Sequence, residues 1–122
     1  MTWEWVGLET VLAVHDQLIA DHGGLPGVRD MGLVESAIAA PQSLAAYENP
    51  DVYDLAAAYG YGLARNHGFM DANKRTAYVV TRLFLILNGS DMTSRPEERV
   101  LVFEALGKGT VSREELAKWL RG

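Results

Sequence analysis

The order of apolar and polar positions along the chain, punctuated by glycine, proline and capping residues, predicts a protein that is mostly helical. A first helix runs from Leu8 to Asp21 and stops at Gly23 and Gly24. Gly24-Leu25-Pro26-Gly27 is a turn or loop. Asp30 is placed to cap a short second helix, which Pro41 ends near Ala40. Asn49-Pro50-Asp51 marks the start of a third helix, from about Val52 to Arg65. A loop from Asn66 to Ala72 leads into a fourth helix, from about Asn73 to Leu87, closed by Asn88-Gly89. Pro96, at a first-turn position, opens a fifth helix reaching about Leu106, with Gly107-Lys108-Gly109 as its end. Ser112-Arg113-Glu114-Glu115 fits a capping box for a last helix ending near Leu120. Only Trp3 to Val6 and Asp91 to Thr93 have an extended character.

Two of these helices set the expected architecture. Between Lys74 and Asn88 the runs Ala77-Tyr78-Val79-Val80 and Leu83-Phe84-Leu85-Ile86-Leu87 are apolar nearly all round, as in a helix at the centre of a bundle. The helix before it carries Ala56, Ala57, Ala58, Gly60, Gly62 and Ala64. Glycine weakens a helix, and close approach of a neighbouring helix is the reason to keep it. The expected fold is all-α: a compact bundle of about six helices around a buried central helix, in one domain spanning residues 1–122.

Composition narrows the class. The chain is 48% hydrophobic and 22% charged, as in soluble globular proteins, and its apolar runs are too short for a bilayer. Without cysteine it has neither disulfides nor thiolate metal sites, and no signal-peptide pattern opens it. A cytoplasmic protein with no membrane partner is expected. A net charge of −5 argues against direct nucleic-acid binding. Against that acidic background Arg65, Lys74, Arg75 and Arg82 lie close together along the chain, which points to a small anionic ligand.

The chemistry concentrates in His67-Gly68-Phe69-Met70-Asp71-Ala72-Asn73-Lys74-Arg75, a loop running straight into a helix start. Helix N-termini present unpaired N–H groups and a positive dipole end, which suit phosphate. Lys74 and Arg75 are badly placed for that dipole unless an anion sits among them, and such a conflict marks a functional site. Asp71 is a hard oxygen ligand suited to Mg²⁺ beside phosphate oxygens. His67 can serve as a general base near neutral pH. Together these are the parts of a phosphoryl-transfer site. Taken singly, each polar residue also has an ordinary reading, Asp71 and Asn73 as helix caps and the cations as solvated side chains. Phe69 is read as a core plug that anchors the loop.

As a set, His-x-Phe-x-Asp-Ala-Asn-Lys-Arg resembles the active-site motif of the Fic/Doc superfamily, and more narrowly that of its Doc (death-on-curing) toxins. The likeness extends to His15-Asp16, Gly24-Leu25-Pro26-Gly27, Ala46-Tyr47-Glu48, Arg65 and Asn88-Gly89, and so covers most of the chain. In the wider Fic family glycines flank the asparagine, a proline follows the histidine, and a second arginine stands three residues beyond the first. Here Ala72 and Lys74 replace the glycines, Gly68 replaces the proline, and Tyr78 stands where the second arginine would be. These departures match the Doc branch. Lys74 removes room for close backbone approach and adds a side-chain cation, and the missing arginine removes a fork suited to phosphates. A nucleotide can then lie in another orientation; the residues themselves leave open which phosphorus is attacked.

The resemblance implies a bacterial toxin of a toxin–antitoxin module. It implies an ATP-dependent Ser/Thr protein kinase that uses ATP and Mg²⁺ to phosphorylate a translation factor, elongation factor Tu, and so inhibits translation. By the same resemblance His67 is the general base, Asp71 holds Mg²⁺, and Asn73, Lys74 and Arg75 bind and neutralise phosphates. Arg65 adds a further phosphate contact, or is simply a favourable cation at its helix C-terminus. The implied partner is a cognate antitoxin acting in trans, whose C-terminal segment folds as a helix into a groove. Leu8, Val11, Leu12 and Leu18 are candidates for that groove or for core. Many Fic enzymes carry an internal brake of Ser or Thr, three residues, Glu, then Gly or Asn; the nearest stretch here, Thr93 to Glu98, is interrupted by Pro96. The alternatives are a Fic-type adenylyltransferase on the same fold and a non-catalytic phosphate-binding module, which the intact His67 and Asp71 disfavour.

Overall fold

The computed structural model describes residues 2–122. Among them six helices form: α1 (Leu8–His22), α2 (Met31–Tyr47), α3 (Val52–Asn66), α4 (Asn73–Leu87), α5 (Pro96–Lys108) and α6 (Arg113–Arg121). Three starts are fixed by side-chain caps. Asp30 accepts from the Leu33 N–H at 3.1 Å. Asp51 and Asp54 form a reciprocal capping box at 2.9 Å each way. Ser112 and Glu115 do the same at 3.0 Å. Arg121, at the end of α6, donates to Asp51 and Asp54 at 2.9 and 3.1 Å, which ties the last helix to the start of α3.

Two helices overrun their expected ends. Pro41 does not stop α2, which continues to Tyr47. An interior proline costs roughly 3 kcal/mol. Here Pro41 is itself buried on the face that also buries Val34, Ala37, Ile38 and Leu44, and burial at roughly 1.5–3 kcal/mol for each large apolar side chain offsets that loss. Similarly α5 passes through Gly107, and Gly109, at φ +85°, ends it.

Neither extended expectation becomes a strand. Around Trp3 to Val6 the backbone finds side chains instead of a sheet partner. The Tyr59 hydroxyl accepts from the Val6 N–H at 3.0 Å and donates to the Val6 carbonyl at 3.1 Å. Asn88 serves the backbone of Glu4 in the same way, at 2.9 and 3.0 Å. At Asp91 to Thr93 the Met92 N–H is held by the Asp91 side chain. Among the described residues, the pairing that does form is a single antiparallel bridge between Val28 and Phe69.

The central helix is α3, not α4. It packs against α2, α4, α5 and α6 and buries eight residues, while α4 leaves Ile86 and Leu87 about half exposed at its C-terminal end. The small residues of α3 explain the exchange. A Cβ at Gly60 would lie 2.5 Å from Thr81 Oγ1 of α4 and 3.2 Å from Leu116 of α6, and one at Gly62 would lie 3.0 Å from Ala37 of α2. The glycines therefore set the approach of three neighbours. On α1, Val11 is core, and Leu8 and Leu12 are partly buried against it. Among the described residues no helix is long and apolar enough to cross a membrane.

Candidate active site

The loop from His67 to Ala72 joins two closely packed helices, α3 and α4, and its backbone is held out of the ordinary region at both ends. His67, the C-cap of α3, has φ 51° and ψ 46°; Ala72, the N-cap of α4, has φ 60° and ψ 30°. Left-handed backbone at a non-glycine residue costs roughly 1–2 kcal/mol, so neighbouring contacts must over-determine the loop. Ala72 thus takes a conformation natural to glycine.

Those contacts are numerous. Phe69 is 2% exposed and stacks on buried His15, ring centroids 3.9 Å apart and planes 9° from parallel. His15 Nε2 donates to the Asp71 carbonyl at 2.9 Å. The Asn73 side chain accepts from the Phe69 N–H at 3.0 Å and donates to the Phe69 carbonyl at 3.1 Å. Alongside runs the segment before α2. Its Arg29 and Asp30 N–H groups donate to the Gly68 carbonyl at 2.8 and 2.9 Å, and its Gly27 carbonyl accepts from Met70 at 3.1 Å. The Arg29 guanidinium donates to the His67 carbonyl at 2.8 Å, at the negative end of α3.

Asp71 is exposed, and backbone donors surround its carboxylate. Oδ2 accepts from the Leu25 N–H at 3.1 Å and Oδ1 from the Ala72 N–H at 2.8 Å. The bond from Leu25, then that from Ala72, with smaller help from the charges of Arg75 and His15, hold its pKa below the ordinary 3.8. The depressed value means that these bonds contribute fully above the ordinary pKa and are lost only as pH falls through the lowered one. At neutral pH Asp71 is thus a carboxylate with free lone pairs. Gly24, at φ +116°, permits this. A Cβ there would sit 2.8 Å from Asp71 Oδ2 and 3.2 Å from Ile19. Gly24→Ala is accordingly expected to displace the Leu25 N–H from Asp71. Titration of the variant should show the Asp71 pKa rising toward its ordinary value; an unmoved pKa would mean that the Leu25 contact is not what holds it down.

A cavity of about 690 Å³ opens where α4 begins. One wall carries His67, Asp71, Lys74 and Arg75; the other, from α5, carries Arg99, Phe103 and Glu104. The start of α4 has no side-chain cap and no acidic residue in its first turn, so its N–H groups remain available to an anion. No hydrogen bond from a described residue engages the His67 ring, which is exposed. The conflict at Lys74 is met by α5: its ammonium lies 2.8 Å from Glu104 Oε2, both side chains half exposed. The hydrogen bond from Lys74, reinforced by its charge, lowers the Glu104 pKa.

Of the residues singled out in the sequence, His67, Asp71, Asn73, Lys74 and Arg75 come together on this cavity. Both ends of the Asn73 amide are committed to Phe69, which makes that side chain the clasp of the loop. Arg65 does not line the cavity; its guanidinium lies over the Tyr61 ring at 5.9 Å and against Gly109. Arg82 is held by Asp91 in a fork at 3.0 and 3.2 Å. The basic cluster of the sequence therefore divides in space, and Lys74 and Arg75 alone of the four face the cavity. Sequence reasoning passed over Arg29, Arg99 and Glu104, whose contacts with His67, Tyr78 and Lys74 join residues far apart along the chain. For His15, noted only through the family likeness, a signal existed: it falls four residues after Val11, on the same buried face of α1.

The donor set suits Mg²⁺ held beside phosphate oxygens. Among the described residues no group of three or more His, Cys, Asp or Glu side chains forms a metal cage. One ionised, accessible carboxylate beside an uncapped helix start is how Mg²⁺ is held when phosphates supply its other ligands. The site thus offers a base, a hard oxygen ligand and fixed positive charge around one cavity.

The family model described as the Fic/DOC family matches residues 5–85. The chain is 40% identical over 114 residues to the "Protein kinase doc" of Escherichia phage P1, covering 93% of this chain and 90% of that protein. It is 43% identical over 76 residues to the "Toxin Doc" of Mycolicibacterium smegmatis, covering 59% and 57% of the two chains. The motif, the loop geometry that carries it and these two relatives agree, and the chain belongs to the Fic/DOC family.

Proposed function

We propose that this chain is the toxin of a toxin–antitoxin module and a protein kinase of the Doc type, transferring the terminal phosphate of ATP to a Ser/Thr hydroxyl of elongation factor Tu. The observation that carries this reading is the joint presentation of the His67 ring, the Asp71 carboxylate and the uncapped start of α4 on one cavity, in a chain 40% identical to a relative called a protein kinase.

In the proposed reaction His67 takes the proton of the target hydroxyl as its oxygen bonds to the terminal phosphorus. The bond from that phosphorus to its bridging oxygen breaks, and ADP leaves. Asp71 would hold Mg²⁺, which neutralises phosphate charge when bound. The N–H groups of α4, Lys74 and Arg75 supply fixed positive charge where negative charge develops. Asn73 keeps the loop closed on Phe69 and so aims both His67 and Asp71. Residues 1–122 act as one domain in the cytoplasm, and an antitoxin supplied by another chain holds the activity in check.

Expression of the wild-type chain alone in a bacterium is expected to arrest growth, and co-expression of a cognate antitoxin to relieve the arrest. Unimpaired growth with folded wild-type protein accumulating would count against a toxin.

A further inference from the structure

The α5 wall of the cavity carries a cation for which the reaction above has no use. Arg99 meets no carboxylate within ion-pair distance among the described residues; its partners are neutral. Nε and Nη2 donate to the Ser94 carbonyl at 3.1 and 2.7 Å, Nη2 also reaches the Met92 carbonyl at 3.5 Å, and Nη1 donates to the Tyr78 hydroxyl at 3.2 Å. The neighbouring acid, Asp91, is taken by Arg82. Carbonyls and a phenol orient the guanidinium without cancelling its charge, and one Nη1 hydrogen remains for a ligand. Lys74, by contrast, already has Glu104.

Position gives this charge a meaning. Tyr78, which holds Arg99, is five residues beyond the first residue of α4, or roughly 7.5 Å along the helix axis. The uncapped N–H groups and Arg99 thus mark two separated anion-binding points on one cavity. A chain of phosphates anchored at the helix start can extend along the cavity to Arg99. The residue at the position of the family's second arginine is here a tyrosine that carries an arginine from another helix.

We propose that Arg99 is a specificity-determining residue that grips the nucleotide's phosphate chain at the end remote from the α4 N-terminus and so selects triphosphates over shorter phosphates, with Tyr78 as its positioning residue. This rests on ATP being the substrate.

The test is equilibrium binding of ATP, AMP and inorganic phosphate, each with Mg²⁺, to the wild-type chain and to Arg99→Gln, which keeps a donor for the Ser94 carbonyl and removes the charge. Loss of a charge-assisted bond should weaken ATP by about tenfold or more, while AMP and phosphate change by less than about twofold. Arg99→Lys, which keeps the charge and loses the fork, should fall between. Tyr78→Phe leaves the carbonyl bonds of Arg99 in place and should weaken ATP selectively even if Arg99→Gln fails to fold. Unchanged ATP binding in folded Arg99→Gln would overturn the proposal, as would an equal loss of all three ligands or, should that variant fail to fold, unchanged ATP binding in Tyr78→Phe. Wild-type protein that binds no ATP would overturn the kinase reading itself, and this proposal with it.

Discussion

His67→Ala is expected to abolish phosphate transfer while leaving the bundle folded. The ring is exposed and makes no hydrogen bond to a described residue, so its removal takes away no buried side chain. The backbone of the loop is held by other groups: Arg29 on the His67 carbonyl, Asn73 on Phe69 and His15 on Asp71. Alanine in the left-handed region already occurs at Ala72 in the same loop. Loss of a general base removes roughly 10²–10⁴ in rate, and single-turnover phosphorylation beside a thermal melt separates the two effects. A variant that folds and transfers phosphate at the wild-type rate would remove His67 from the chemistry.

Phe69→Ala should instead act through stability. Truncating a buried phenylalanine costs roughly 3–5 kcal/mol, and Phe69 is both 2% exposed and stacked on His15. In a chain of this length that corresponds to a fall in Tm on the order of 10–20 °C. Activity should fall as well, because the same ring anchors the loop between His67 and Asp71. Denaturant unfolding measures the loss directly; stability unchanged within about 0.5 kcal/mol would contradict a buried anchor.

The helices were largely legible because their ends carry local chemistry. Asp51, Ser112 and Gly109 act within a few residues of themselves, and α4 spans Asn73–Leu87 as its pattern predicts. Local rules failed where tertiary packing outweighed them. Pro41 stays inside α2 because its face is core. The apolar α4 yields the centre to α3 because glycine and alanine let four helices close on α3. The site divides in the same way. Its motif is contiguous, so five of the six residues assigned roles meet on one cavity. Its supports are not contiguous. The bonds from Leu25 to Asp71, Arg29 to His67, Lys74 to Glu104 and Arg99 to Tyr78 each join residues at least 21 apart. Nothing in the spacing of a single chain announces such pairs. Arg65, close to the motif in sequence, shows the converse: nearness along the chain did not bring it to the cavity wall.

The central claim is the transfer of a terminal phosphate, and labelled ATP tests it most directly. Purified protein is incubated with a bacterial lysate and ATP labelled at either the α or the γ phosphorus, and proteins are separated and imaged. The account predicts label from γ-labelled ATP on one target of the size of elongation factor Tu, none from α-labelled ATP, and no label of either kind with His67→Ala. Label from α-labelled ATP, with a target mass gain of one AMP, would contradict it and establish adenylyl transfer in its place.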